Sequence, residues 1–386
     1  MSRKKFFFWN VAIICLFFGG LIPEKTFCAI NPEIHWNLLD VGTDEAWNYT
    51  QGSSDIVVAI IDSGVDFTHP DLENQNWINS NEIPGNGKDD DQNGYIDDVF
   101  GWDFRSDDND PSPGHEHGTF VAGLIAADDD DDISVGIAPN IRLMALRFLD
   151  NYNSFSGGDW DMFIEAVDYA VANGAQIIHL SIQAYGVPPP SFYSAIKRAY
   201  EQGVVLVSVT GNNEDHVTYP GNYSEVIAVS ATTRTREIAD FSSPGGQNEL
   251  CAPGEDVYSI YPDEFTPQIG LGTSFAAPLV SGAIALMLSL NNGLSIFEIR
   301  TILQKTSTDL GAPGKDPVFG YGLLNVSAAL KAVITEINNG TTTVRESTTT
   351  GLKTTGGIIP AFDNNIGIII IAIILYKKGR LKRRRV

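Results

Sequence analysis

Short apolar runs rich in β-branched residues alternate with segments of helical periodicity between about residues 31 and 333, and this alternation limits the possible folds more than any other feature. Strands that alternate with helices form a mainly parallel sheet, because each crossover helix returns the chain to the same end of the sheet. The sequence therefore predicts an α/β fold. The strand candidates are residues 56–61, 142–147, 177–180, 204–209, 226–229 and 248–252.

Four further segments have apolar residues spaced at about 3.6, which is typical of helices that pack on one face. Gly174, Gly203 and Gly293 follow three of these segments. Glycine commonly ends a helix because it tolerates a left-handed backbone. The predicted helices are residues 163–173, 191–202, 273–290 and 295–305.

The first residues have the pattern of an export signal. Arg3, Lys4 and Lys5 precede an apolar run over residues 6–22, and small residues follow around Ala29. This pattern predicts a signal peptide over residues 1–29 and therefore an exported body. The alternative is an uncleaved membrane anchor, for which the apolar run is short.

The composition changes near the C-terminus. Residues 336–357 are rich in Thr and Gly and are interpreted as a stalk, since they cannot build a core. Residues 358–376 are apolar apart from residues 363–365, and seven basic residues follow in the stretch 377–386. Basic residues beside an apolar segment mark the cytoplasmic side of a membrane. We expect a transmembrane or sorting segment with a basic cytoplasmic tail, which holds the body at the outer face of the cell membrane or releases it when processed. A peripheral tail is the alternative.

The formal net charge of −23 combines 48 acidic with 25 basic residues, and ten of the basic residues lie in the stretches 1–5 and 377–386. The body is therefore strongly acidic. An acidic surface repels phosphate backbones, so nucleic acid is not expected as a partner, whereas clustered carboxylates suit Ca²⁺. Cys251 is the one cysteine of the body, so a disulfide framework is not possible there. We expect Cys251 to be a small buried apolar residue.

Three short motifs place an acid, an imidazole and a hydroxyl at the ends of predicted elements. Asp62 directly follows the strand candidate 56–61, at the carboxyl end where open α/β sheets place their sites. His117 precedes Gly118 and opens a run of small apolar residues that suits a closely packed helix. Ser274 lies in a Gly-Thr-Ser sequence at the first turn of the predicted helix 273–290.

Hydrolysis of an acyl bond by a serine requires these residue types. A serine hydroxyl is a weak nucleophile, so His117 would take the proton of Ser274 while Asp62 orients the imidazole. The negative oxygen that forms needs fixed donors, which the Ser274 backbone N–H and the Asn212 side-chain amide would supply. Taken alone, an Asp at the end of a strand is often a helix cap, a His before Gly is often a surface or cap residue, and Gly-Thr-Ser is a common turn. The prediction therefore rests on their combination.

The sequences Asp-Ser-Gly from Asp62, His-Gly-Thr from His117 and Gly-Thr-Ser-Phe-Ala-Ala-Pro around Ser274 resemble the motifs of the subtilisin family of serine proteases, and the resemblance extends over residues 36–330. It implies a three-layer subtilisin-like fold over residues 30–335, with helices on both faces of the sheet. It also implies a serine endopeptidase with Asp62, His117 and Ser274 as its triad and Asn212 in the oxyanion hole. We expect a monomer.

The resemblance further implies where a polypeptide substrate binds. An extended peptide would lie along two segments of the cleft: Ser181, Ile182 and Gln183 on one side and Val209, Thr210 and Gly211 on the other. Gln183 replaces the glycine usual in the family at the primary specificity pocket, so we expect a narrower or more polar pocket. The Tyr219–Pro220 bond is expected to be cis, as in the family.

The acidic loop, residues 89–98, has side-chain oxygen atoms at alternate positions and Gly94 at its tight turn, as at the start of an EF-hand loop. We predict a structural Ca²⁺ site here, against the alternative of a solvated acidic turn. Phe100 stands where an EF-hand has its last ligand, so Asp97 or Asp98 would close the shell. The candidate ligands are Asp89, Asp91, Asn93, Tyr95, Asp97 and Asp98. The other histidines lack metal spacing and are interpreted as surface or structural residues: His35, His69, His115, His179 and His216.

Two functions other than proteolysis are compatible with the same fold or the same triad chemistry. The first alternative is a surface protein that binds peptides on the same fold without catalysis. Such a protein could have lost one or more of four residues, yet all four are present: Asp62, His117, Asn212 and Ser274. An esterase would use the same triad chemistry. The hydrolases that usually act as esterases carry a Gly-x-Ser-x-Gly elbow, which does not surround Ser274.

Overall fold

The computed structural model describes residues 31–129, 134–213 and 215–339. The predicted signal peptide, transmembrane segment and basic tail lie outside these residues, as does most of the predicted stalk. The predicted α/β fold is confirmed, because a parallel sheet of seven strands with helices on both faces forms the described part of the chain.

The seven strands lie in the order β2-β3-β1-β4-β5-β6-β7, and all neighbours are parallel. A separate antiparallel pair, β8 and β9, lies outside this sheet. The strands are β1 (Val57–Asp62), β2 (Gly101–Asp103), β3 (Arg142–Arg147), β4 (Ile177–Leu180), β5 (Val205–Val209), β6 (Val226–Thr232), β7 (Asn248–Pro253), β8 (Val257–Ser259) and β9 (Gln268–Gly270).

The described residues also contain eight α-helices and one short 3₁₀ turn, Pro70–Leu72. Gly174 and Gly203 follow two helices with φ values of 78° and 86°, as expected of glycines that end helices. The last helix ends at Asn338, three residues into the range predicted as the stalk. The helices are α1 (Trp36–Asp40), α2 (Thr43–Ala46), α3 (His117–Ala126), α4 (Trp160–Ala172), α5 (Pro190–Glu201), α6 (Thr273–Leu290), α7 (Ile296–Thr306) and α8 (Val326–Asn338).

Two apolar cores cover the two faces of the sheet. Val58 and Ile60 of β1 belong to the core shared with α3, α6, α7 and α8, whereas Ala59 and Ile61 belong to the core shared with α4 and α5. Strands covered on both faces are apolar throughout, which explains why β1 reads as a continuous apolar run. Cys251 of β7 is free and fully buried, as expected.

Among the described residues, α6 is the one helix long and apolar enough to cross a bilayer. Its apolar window is 78% buried within the protein, which is the position of a core helix. The same helix carries Ser274 at its N-terminus.

Strand β1 lies between β3 and β4, so the chain moves to opposite sides of β1 in successive crossovers. At such a switch point the carboxyl ends of the strands open a crevice. Asp62 is the last residue of β1 and therefore lies at the edge of the sheet where a site is expected.

Candidate active site

Asp62 and His117 form a direct hydrogen bond. Asp62 is fully buried, and its Oδ1 accepts from His117 Nδ1 at 2.8 Å and from the backbone N–H of Ser63 at 2.7 Å. A carboxylate on Nδ1 favours the tautomer in which that nitrogen carries the hydrogen. The arrangement leaves Nε2 of His117 free to accept a proton.

The close approach of α3 to the end of β1 depends on a glycine. A Cβ atom at Gly118 would lie 2.2 Å from the backbone oxygen of Gly64 and 3.2 Å from Asp62 Oδ1. Any side chain there would push α3 away from β1 and separate His117 from Asp62. The His-Gly sequence is therefore a geometric requirement of the hydrogen bond.

The pKa of His117 is set by opposing effects. Burial favours the neutral imidazole and lowers the pKa, but the Asp62 charge and hydrogen bond, with a smaller contribution from Glu116, raise it above the ordinary value of 6.5. The net effect is a raised pKa. The imidazole is thus a stronger base than a free histidine, which suits a group that must take a proton from a hydroxyl.

Ser274 lies in the first turn of α6, where backbone N–H groups have no intrahelical acceptor. The Oδ1 of Asn212 accepts from the backbone N–H of Thr273 at 3.0 Å and from its hydroxyl at 2.9 Å. These two bonds fix the orientation of the Asn212 amide. Its Nδ2 is left as a donor, and a Cβ atom at Gly272 would lie 3.7 Å from both this Nδ2 and the backbone nitrogen of Ser274.

His117, Asn212 and Ser274 line one cleft of about 530 Å³. The Ser274 hydroxyl donates to the backbone oxygen of Ser181 at 3.4 Å, which is long for an O–H donor and therefore weak. The structure thus brings the imidazole, the hydroxyl and the amide that were predicted from separate motifs to one surface.

Residues 53–322 match the family model described as "Subtilase family". The chain belongs to the subtilase family. This subtilase is 34% identical to the thermophilic serine proteinase of Bacillus sp. (strain AK1) over 73% of its own length and 63% of that protein. It therefore spans under two thirds of that relative.

Two other relatives align along most of their length. Subtilisin DY of Bacillus licheniformis is 34% identical over 72% of this chain and 91% of its own. Thermitase of Thermoactinomyces vulgaris is 32% identical over 70% of this chain and 87% of its own.

The two segments predicted to bind substrate differ in their access to the cleft. Ser181, Ile182 and Gln183 line it, whereas Val209, Thr210 and Gly211 are buried behind it. Gln183 Oε1 lies 3.2 Å from the position of a Gly211 Cβ, so its side chain covers this segment.

Further features of the cleft lie outside or beside the predicted segments. The aromatic residues Tyr152, Phe155 and Trp160 also line it, and none of them is among the predicted site residues. The Tyr219–Pro220 bond beside it is cis, as expected, and the Tyr219 carbonyl accepts from the Ala184 N–H at 2.7 Å.

The acidic loop of this subtilase brings together only part of the predicted ligand set. Asp91 and Asp98 converge with Glu82, which was not predicted, and the three residues place carboxylate oxygens within 4.8 Å of one another. Asp89 instead accepts the backbone N–H groups of Asn93 and Gly94 at 3.0 and 2.9 Å.

Other predicted ligands also hold the loop in shape. Asp97 accepts the backbone N–H groups of Asn86 and Gly87 at 3.0 and 2.8 Å. The Tyr95 ring packs edge-on against Trp102 and Tyr169. Asn93 Nδ2 donates to Asp98 Oδ2 at 2.9 Å, so the Asn93 side chain lies against the converging carboxylates.

The converging carboxylates fit a hard cation. Asp98 is fully buried, and burial raises its pKa against the lowering effect of hydrogen bonds from Tyr169, Asn93 and Asn79. In the described part of the chain, no Lys or Arg forms an ion pair with Glu82, Asp91 or Asp98. Oxygen ligands with unbalanced negative charge are those that Ca²⁺ prefers.

Proposed function

We propose that this subtilase is a serine endopeptidase that hydrolyses peptide bonds of extended polypeptides. Ser274 is the nucleophile, His117 the general base and then the general acid, and Asp62 the residue that orients His117. The observation that carries the proposal is the 2.8 Å contact of Asp62 Oδ1 with His117 Nδ1 at a cleft that Ser274 also lines.

In the first step the Ser274 hydroxyl leaves its weak bond to the Ser181 carbonyl and gives its proton to His117 Nε2 as Oγ attacks the substrate carbonyl. Asp62 stabilises the imidazolium that results. The carbonyl oxygen becomes an anion, which the Ser274 N–H and Asn212 Nδ2 stabilise.

Collapse of this intermediate breaks the peptide bond, and His117 gives its proton to the leaving amine. The substrate acyl group is then an ester on Ser274. A water molecule, deprotonated by His117, hydrolyses that ester by the same path. Two features support this sequence: the fixed tautomer of His117, and the Asn212 amide that Thr273 holds in place.

A fluorophosphonate probe tests the proposal on the full chain. Wild-type protein should label and should cleave unfolded protein, and Ser274→Ala should do neither. Ser289→Ala is a matched control on the same helix: the Ser289 hydroxyl donates to the Ala285 carbonyl at 2.7 Å, outside the cleft, and the variant should label like wild type. A folded wild-type protein that binds peptides without labelling would favour the peptide-binding alternative, and cleavage of esters but not peptides would favour the esterase.

We also propose that Ca²⁺ binds the loop as a structural ion, with Asp91, Asp98 and Glu82 as its carboxylate ligands and Asn93 beside them. Three like charges that converge at a buried carboxylate repel one another without a cation. Neutralising them would hold the loop against the Tyr169 hydroxyl, which already donates to Asp98 at 2.5 Å.

Export and membrane attachment complete the proposal. The signal-like pattern of residues 1–29 supports export. The apolar segment 358–376 with its basic flank supports attachment by the C-terminus.

A further inference from the structure

Pro278 stands four residues after Ser274 within helix α6. A proline has no backbone N–H, so the carbonyl oxygen of Ser274 lacks the helix donor that it would otherwise have. The Ser181 hydroxyl donates to this oxygen instead, at 2.8 Å. A side chain from the end of β4 therefore holds the backbone of the proposed nucleophile.

The direction of the next hydrogen bonds follows from this one. A carbonyl oxygen can only accept a hydrogen bond, and a serine hydroxyl has one hydrogen to donate. The Ser181 hydroxyl therefore donates its hydrogen to the Ser274 carbonyl oxygen. His179 Nε2 lies 2.7 Å from the Ser181 Oγ and must be the donor in that contact. A neutral imidazole with its hydrogen on Nε2 has Nδ1 as an acceptor, and Ser281 Oγ lies 2.8 Å from it.

These groups form a buried, directional chain from Ser281 through His179 and Ser181 to Ser274. His179 and Ser281 are fully buried and Ser181 is 5% exposed. Burial lowers the pKa of His179 to about 3, so the imidazole stays neutral wherever His117 can act as a base. Ser281 and Ser274 lie on the same helix, so His179 of β4 secures α6 at two points.

We propose that His179 is a positioning residue for the nucleophile: its Nε2–H orients the Ser181 hydroxyl, which holds the Ser274 carbonyl and with it the first turn of α6. The proposal rests on the proposed function of Ser274. The position of the Ser274 Oγ and of its N–H follows from that turn, and small displacements of a reacting group are costly in rate.

Two substitutions distinguish the hydrogen bond of His179 Nε2 to Ser181 from that of Nδ1 to Ser281. In His179→Gln, the new amide nitrogen can lie where Nε2 lay and still donate to Ser181, but the contact with Ser281 is lost. In His179→Asn, the new amide oxygen can lie where Nδ1 lay and accept from Ser281, but Ser181 is left without a donor. Each variant loses one buried hydrogen bond, so both should lose similar stability.

The experiment measures kcat and KM on a peptide substrate, with the active fraction counted by fluorophosphonate titration and stability by urea unfolding. We expect His179→Asn to lower kcat about tenfold or more at nearly unchanged KM, and His179→Gln to keep kcat within about threefold of wild type. Nitrogen NMR of the wild-type protein should show that His179 carries its hydrogen on Nε2 and none on Nδ1. This measurement tests the direction of the hydrogen bonds without an activity assay.

Three outcomes would overturn parts of the proposal. Full kcat in His179→Asn, or equal losses of kcat in both variants, would show that His179 contributes to stability and does not position the nucleophile. A hydrogen on Nδ1 of His179 would contradict the direction of the hydrogen bonds from Ser281 to Ser274. Folded wild-type protein that does not label would overturn the proposed function itself, and the positioning role with it.

Discussion

Gln183 Oε1 accepts the backbone N–H of Asn212 at 2.8 Å, and this bond carries the Gln183 side chain across the gap between the ends of β4 and β5. The Gln183 Nε2 donates to the Tyr185 hydroxyl at 2.5 Å, which fixes the other half of the amide. The side chain thus covers Gly211 at the point where the cleft passes Asn212 and Ser274. In the proposed function, this position of Gln183 narrows the space for the substrate side chain that precedes the scissile bond.

The size of this space should determine which peptides are cleaved fastest. Peptides with Ala before the scissile bond should be cleaved with a higher kcat/KM than peptides with Phe, because Phe must displace Gln183 from Asn212. Gln183→Gly should raise the Phe-to-Ala ratio of kcat/KM by about tenfold or more. Gln202→Ala, an exposed change at the end of α5, should leave the ratio unchanged. A ratio that does not move in Gln183→Gly would show that Gln183 does not limit the pocket.

The pH profile of the enzyme should report the raised pKa of His117. The imidazole must be neutral to take the Ser274 proton, so kcat/KM should rise with pH through an apparent pKa above 6.5. Asp62→Asn should lower kcat by about 10⁴-fold, because the amide no longer fixes the tautomer or stabilises the imidazolium. An apparent pKa at or below the ordinary histidine value would contradict the effect of Asp62.

Calcium should raise the thermal stability of the full chain. An ion present at a hundredfold excess over its Kd adds about 2.7 kcal/mol to the free energy of unfolding, which is roughly 4 °C in Tm for a domain of this size. Asp98→Asn should remove most of this shift. Asp44→Asn, an exposed change in α2, should retain it, and an EGTA-insensitive Tm in the wild type would leave the loop a solvated acidic turn.

Acid should destabilise the protein in part through His179. Its pKa is about 3 in the folded chain against an ordinary value of 6.5, so between these values the unfolded state binds the proton and the folded state does not. Stability is then lost as the pH falls, by about 1.4 kcal/mol per pH unit from this group. His179→Gln should be less stable than wild type at neutral pH but should lose less on acidification, as seen in urea unfolding at several pH values. Gln202→Ala, an exposed change without a titratable group, should keep the wild-type slope.

Elements that are long and regular could be predicted from the sequence. The strands Arg142–Arg147 and Ile177–Leu180 and the helix Thr273–Leu290 have the predicted bounds. The three-residue strands β2, β8 and β9 were not predicted, because three residues do not show a period. Helix α8 was also missed, since its apolar residues fall where the composition begins to change.

The site residues divide in a similar way. Asp62, His117 and Ser274 each stand in a short motif, so local sequence was sufficient to select them. Glu82 precedes the acidic loop and becomes a candidate ligand only when the chain folds back on Asp98. The role of His179 depends on Ser281, which is 102 residues away along the chain, and a histidine in a buried strand has no local signal for such a partner.

The parallel order of the sheet has a consequence for biosynthesis. Asp62 ends β1, whereas Ser274 begins α6, after all seven strands of the sheet have been made. A nascent chain that has not yet reached α6 carries the proposed base and its carboxylate but not the proposed nucleophile. The proposed active site is therefore completed only after the whole sheet has been synthesised, so the growing polypeptide cannot cut itself or its neighbours before Ser274 is made.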